Sequence, residues 1–235
     1  MTSHRAALLG TLTNHRPNMD VVIGTAVLAL ALTVALWWLV GLAVTVAHEG
    51  AHALVSVLFG GKVSAVLVNR DRTGLTSTSQ GPLVAILVTM GGYLGPSAFG
   101  LLGALLITLG RPVAVLWISL LLLVGMLTVA ASWFTRFVVV ALGLLMAWAI
   151  RSGSDPVVVW TAATWAWILL IGGLVHVFLH NGKGSDHLAL RKATWIPVWF
   201  WSLLFSSAAV AAIAYAFSWL TGYGDPPLPG RPPAP

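Results

Sequence analysis

Between Val21 and Phe59 the chain carries a single Asp, Glu, Lys or Arg, and it stands in Ala47-His48-Glu49-Gly50-Ala51-His52-Ala53. Glu49 is also the only glutamate among the 235 residues. A helix needs about 20 apolar residues to cross about 30 Å of hydrocarbon, and this run is nearly twice as long. It reads either as one long tilted helix or as a span followed by a second, partly re-entrant helix broken near Gly41. Both readings put the polar cluster inside a membrane. An ionisable side chain costs about 2.5 to 3.5 kcal/mol there on insertion scales, so two imidazoles and a carboxylate in close succession call for a compensating partner.

On a helix, His48 and His52 are one turn apart, project from the same face and can close on one tetrahedral metal ion. Glu49 lies beside that face. It is placed to take a proton from a water held there, as in the H-E-x-x-H metalloproteases. The competing reading is a hydrogen-bonded polar cluster with no metal.

Composition fixes the class. Charged residues make up 8% and apolar ones 58%, and the mean hydropathy is +0.93. Soluble domains carry about 25% charged residues, so this is a polytopic membrane protein. Its net charge of +6 comes from 12 Lys and Arg dispersed between apolar runs, not from a basic face. Nucleic acid is therefore not an expected partner, whereas the lipid bilayer is. The absence of cysteine excludes disulfides, thiolate metal sites and a cysteine nucleophile, so any metal must use His and carboxylate.

Six apolar runs are long enough to span: Val21 to Phe59, Pro82 to Leu109, Val113 to Ala131, Trp133 to Ile150, Val157 to Leu179 and Ile196 to Leu220. The expected fold is an all-α polytopic membrane protein of about six transmembrane helices, with a short β-hairpin after the first span. The hairpin reading rests on Val63 to Val68 and Leu75 to Thr78, separated by the polar turn Asn69-Arg70-Asp71-Arg72-Thr73-Gly74. An ordinary loop is the alternative. A hairpin would offer a free edge for an extended peptide. Trp133, Trp160, Trp195, Trp199 and Trp219 fall near span ends, as interfacial anchors do. Residues 1–20 read as a polar N-terminal segment without signal-peptide features, 21–221 as the membrane-embedded domain and 222–235 as a disordered Pro-rich tail.

A catalytic zinc usually has three protein ligands, and two histidines leave it one short. The aspartates are Asp20, Asp71, Asp155, Asp186 and Asp225. If the first run crosses once, alternation of sides returns the chain after the fifth span to the side of His48 and His52. That places Asp186 with the histidines, and Asp20, Asp155 and Asp225 opposite; Asp71 sits in the hairpin turn. Ser185 can cap a helix starting at Asp186, and Gly182 and Gly184 let the chain bend back. The alternative for Asp186 is an early-helix residue favoured by the dipole. His176 and His180, one turn apart, are candidates for a second metal pair, alternative ligands, outer hydrogen-bonding groups or oxyanion donors, or are simply wetted interfacial histidines. Seven Lys and Arg fall on the hairpin side and five opposite, a slight bias toward a cytoplasmic hairpin and active-site opening.

His48-Glu49-x-x-His52, the Gly60-Gly61-Lys62-Val63 turn into a β segment, and Gly92-Tyr93-Leu94-Gly95-Pro96 together resemble the site-2 protease family of intramembrane zinc metallopeptidases, above all its small bacterial members. Gly184-Ser185-Asp186-x-x-Ala189-Leu190 and Thr194-x-Ile196-Pro197 look like the family segment that supplies the acidic ligand. The resemblance implies Zn²⁺ on His48, His52 and Asp186, Glu49 as catalytic base, Tyr93 or His176 assisting at the oxyanion, and a membrane protein as substrate in regulated intramembrane proteolysis. The chain departs from the better-known members in lacking an Asn-Pro-Asp-Gly or Leu-Asp-Gly motif, in having Ser97 where larger relatives have Asn, and in carrying no PDZ module. The rival from another class is a metal-ion transporter or sensor, with His48, His52, His176, His180 and Asp186 along an ion path. An inactive relative that binds membrane partners is a third reading. Substrate identity and oligomeric state are not set by these residues.

Overall fold

Asn18 begins the first helix by accepting a hydrogen bond from the Val21 N–H at 3.0 Å. In the computed structural model, which describes residues 17–179 and 186–224, eight helices and one hairpin follow in order. They are α1 (Met19–Ala35), α2 (Trp37–Leu58), β1 (Lys62–Val68), β2 (Gly74–Ser79), α3 (Pro82–Thr108), α4 (Pro112–Val129), α5 (Trp133–Ser152), α6 (Asp155–Leu179), α7 (Asp186–Thr194) and α8 (Val198–Thr221). Most of the polar N-terminal segment, His180, the Gly182-to-Ser185 turn and the tail from residue 225 lie outside the described residues.

Six helices, α2 to α6 and α8, are long and apolar enough to cross a membrane. Their outward faces carry large apolar side chains such as Leu83, Leu121 and Leu144, as lipid contact requires. The first apolar run is two helices, and its break is at Leu36, not near Gly41. Leu36 leaves helical geometry at φ −123° and ψ 34°, yet its N–H still bonds Leu32 O at 2.8 Å and its carbonyl accepts from Val40 N at 2.9 Å. This is a kink, not a reversal: Gly24 packs on Trp160 and Val44 on Gly172, so α1 and α2 advance along α6 in the same sense. Gly41 serves packing instead, since the Arg72 side chain lies against its Cα.

Helix α2 is the centre of the bundle, with 13 of its 22 residues buried. It reaches α3 and α6 through small residues, as membrane helices do when no hydrophobic drive separates protein from lipid. Gly95 lies against Ala51, and Gly172 lies against Val44, so the three backbones approach closely. Pro82 starts α3 at a position that needs no N–H, and Ser132 caps α5 by accepting from Thr135 N at 3.1 Å.

The hairpin forms as read, with Val63 opposite Thr78, Val66 opposite Thr76 and Val68 opposite Gly74, and one bulge between Val63 and Ala65. Its turn is closed by Asn69 N bonding Thr73 O at 2.9 Å, and by Asp71 accepting from Thr73 N and Thr73 Oγ1. These bonds hold the exposed Asp71 carboxyl below its ordinary range, so this aspartate belongs to the turn. The outer edge of β1 is taken: Ala131 N bonds Val66 O at 2.8 Å and Val68 N bonds Thr135 Oγ1 at 2.9 Å. Among the described residues no further strand pairs with the outer edge of β2.

Candidate metal centre

The thirteen buried residues on α2 include His48, Glu49 and His52, and each of these three is less than 8% exposed. The two imidazoles face one another across a single turn, with Nε2 atoms 3.1 Å apart. Helix α7 brings Asp186 to them, and its Oδ2 lies 3.0 Å from each of those nitrogens. Parity of crossings and side-chain geometry thus agree on the location of Asp186. Asp20 and Asp155 begin α1 and α6 and are absent from this group.

The tautomer of His52 follows from a backbone contact. Its Nδ1 is 2.7 Å from Val88 O, and a carbonyl only accepts, so Nδ1 carries a proton and, in the neutral ring, Nε2 presents a lone pair. In that state the lone pair faces a carboxylate oxygen at 3.0 Å, and a metal ion between the two satisfies both, whereas a doubly protonated ring would donate to Asp186 directly. Ligand atoms at about 2.0–2.2 Å around a tetrahedral zinc are separated by roughly 3.3 Å, close to the observed 3.0–3.1 Å. The donor set therefore fits one metal ion.

Glu49 points beside this group. One of its carboxylate oxygens lies within 4.8 Å of the imidazole nitrogens, a gap wide enough for one bridging water. The hairpin fixes it in place: Thr76 Oγ1 donates to Glu49 Oε2 at 2.7 Å and lies 3.1 Å from Glu49 O, while Gly74 lies against the carboxylate with no room for a Cβ. Gly92 on α3 does the same for the imidazoles, facing His52 and His48 through a bare Cα. These residues enclose a cleft of about 450 Å³, which Tyr93, His176 and Asp186 also line.

His176 is buried, and its ring centroid is 4.7 Å from that of His48, so it is not a wetted interfacial histidine. The Tyr93 ring packs edge-on to His48 at 5.0 Å and against His187 at 4.2 Å. His187 is fully buried between Tyr93 and Phe205, and burial pushes its imidazole down to about 4, leaving it neutral at physiological pH. Ser97 is buried beside Gly173 and does not line the cleft. Thr76, Gly74, Val88 and His187 were not singled out by the sequence. Gly74 alone carried a signal, at the end of the hairpin turn.

A family model described as Peptidase M50B-like matches residues 21–216. No curated protein and no solved structure matches.

Proposed function

The chain belongs to the Peptidase M50B-like, or site-2 protease, family, and from that premise we propose that it is an intramembrane zinc metalloendopeptidase that hydrolyses peptide bonds of membrane-embedded or membrane-proximal proteins. The observation that carries this reading is the meeting of His48 Nε2, His52 Nε2 and Asp186 Oδ2 within 3.1 Å, next to the chain's only glutamate. When held by these three residues, Zn²⁺ lowers the pKa of a water to about 7 and polarises a carbonyl.

The rest of the chemistry falls to side chains of the chain. Glu49 takes the proton from the attacking water and delivers it to the leaving amine. Thr76 holds the Glu49 carboxylate by one oxygen, and the other lies against the bare Cα of Gly74. Val88 holds the His52 ring in the tautomer that binds metal, and Asp186 supplies the negative charge. Tyr93 and His176 border the cleft where an oxyanion would develop, and they are the candidate donors to it. A substrate helix must unwind before its carbonyl is reachable, and pairing with the open edge of β2 offsets part of that loss.

A transport path needs ligands at several depths. Here His48, His52, His176 and Asp186 gather around one point, which supports the protease over the transporter or sensor. The excess of Lys and Arg on the hairpin side, seven against five, supports a cleft opening to the cytoplasm.

Glu49→Gln tests the reading in purified protein. Retained zinc with cleavage of a single-span substrate lost by about 100-fold or more is the expected result. Unchanged cleavage would remove Glu49 from the mechanism. Asp186→Ala is expected to lower zinc occupancy, and full occupancy would move the third ligand elsewhere.

A further inference from the structure

On the side of α2 opposite His48 and His52, a second space opens. It is a groove of about 630 Å³ between α2, α3 and α4, with α6 at its floor. Its walls are apolar and built on small residues: Ala47, Gly50 and Ala53 from α2, Gly103 from α3, and Gly125 from α4. No neighbouring atom comes within 4 Å of the Cβ position of Gly125, and Gly125 and Leu121 are exposed on the outer face, so the groove communicates with the surrounding lipid.

From Val115 to Val129 the lining follows α4 through fourteen steps of the helix, a rise of about 21 Å, or about two thirds of the hydrocarbon core of a bilayer.

One end of the groove is marked by charge. Lys62, at the start of β1 on the hairpin side, is the one charged residue lining it, is exposed, and has no ion pair among the described residues. Val57 and Thr128 line the groove as well, at the same ends of α2 and α4. Arg136 is anchored close by, donating to Ala130 O at 3.3 Å. An apolar slot through much of the bilayer that ends at an unpaired lysine is complementary to one kind of molecule, an amphiphile with an anionic head and an alkyl tail.

We propose that this groove binds an anionic glycerophospholipid, its phosphate at Lys62 and one acyl chain running down the back of α2 against Ala47, Gly50 and Leu54. The site is separate from the metal centre and does not depend on the proteolytic reading. Its occupant packs against the helix that carries His48, Glu49 and His52.

The chain has no cysteine, so Gly125→Cys accepts a single bimane fluorophore at the open position. Labelled protein is reconstituted in phosphatidylcholine vesicles containing a minor fraction of brominated phosphatidylglycerol or brominated phosphatidylcholine, with Leu144→Cys on the lipid-facing side of α5 as reference. Quenching at residue 125 is expected to show about a fivefold preference for phosphatidylglycerol, the size of one lysine's attraction to an anionic headgroup, with no preference at residue 144. Lys62→Gln, added to Gly125→Cys, should bring the two lipids to parity without changing quenching by phosphatidylcholine. Equal quenching by both lipids at residue 125 would overturn the proposal. So would weak quenching by both together with photocross-linking of a single-span substrate from residue 125, which would assign the groove to substrate.

Discussion

Gly92 lies against the His52 imidazole so closely that a methyl group on its Cα would overlap the ring. The same methyl would also come within 2.8 Å of His48 Nε2. Gly92→Ala should therefore displace the metal-binding nitrogens while improving the helix propensity of α3 by up to about 1 kcal/mol. The expected outcome is a 10- to 100-fold weaker zinc affinity, read by chelator competition, with thermal stability of the zinc-free protein unchanged or raised. Wild-type affinity would mean that the imidazoles have room to retreat.

Thr76 reaches Glu49 from the hairpin, and its hydroxyl is the one side-chain donor to that carboxylate among the described residues. A hydrogen bond to a charged group contributes about 1.5–3 kcal/mol, so Thr76→Val should lower kcat by about 10- to 100-fold. Thr76→Ser, which keeps the hydroxyl, should retain most of the rate. KM and zinc content should hold in both variants, because Thr76 touches neither His48, His52 nor Asp186. Equal loss in Val and Ser variants would assign Thr76 to packing of the strand and not to the base.

How much of this was legible beforehand differs residue by residue. His48, Glu49 and His52 announce themselves because polar groups inside an apolar run are costly unless something compensates them. The hairpin is readable from β-branched runs flanking Asn69 to Gly74, and Asp186 follows from counting crossings. Val88 could not have been found, since its contribution is a carbonyl that every residue possesses. Thr76 sits in a Leu-Thr-Ser-Thr run where any member might have faced the site, and only the register opposite Val66 turns it inward. The break at Leu36 carries no composition signal. Gly41, the more obvious hinge, is a glycine because Arg72 needs the space.

Tyr93 allows the oxyanion question to be put cleanly. Its ring stacks on Phe205 at 5.1 Å and lies 4.2 Å from His187, contacts that phenylalanine would keep. Tyr93→Phe therefore removes the hydroxyl while leaving the aromatic cluster in place. If that hydroxyl assists the developing charge, kcat falls by about 100-fold with zinc affinity unchanged. A loss below threefold would leave His176 as the donor to test, and the corresponding His176→Phe variant should then show the larger effect.

The edge of β2 makes a prediction about substrates instead of variants. With the Val66–Val68 end of β1 taken by Ala131 and Thr135, the longest edge left for an incoming strand is Gly74–Ser79. In a β-ladder, successive backbone N–H groups point alternately toward and away from the neighbouring strand. A series of substrate peptides N-methylated at one residue at a time, near the cleavage point, should therefore show raised KM at every second position and near-normal KM between them. Each lost backbone bond is worth about 1 kcal/mol, or about fivefold in KM. A flat profile would mean that the unwound segment lies in the cleft without pairing, and that Gly74 and Thr76 serve Glu49 alone.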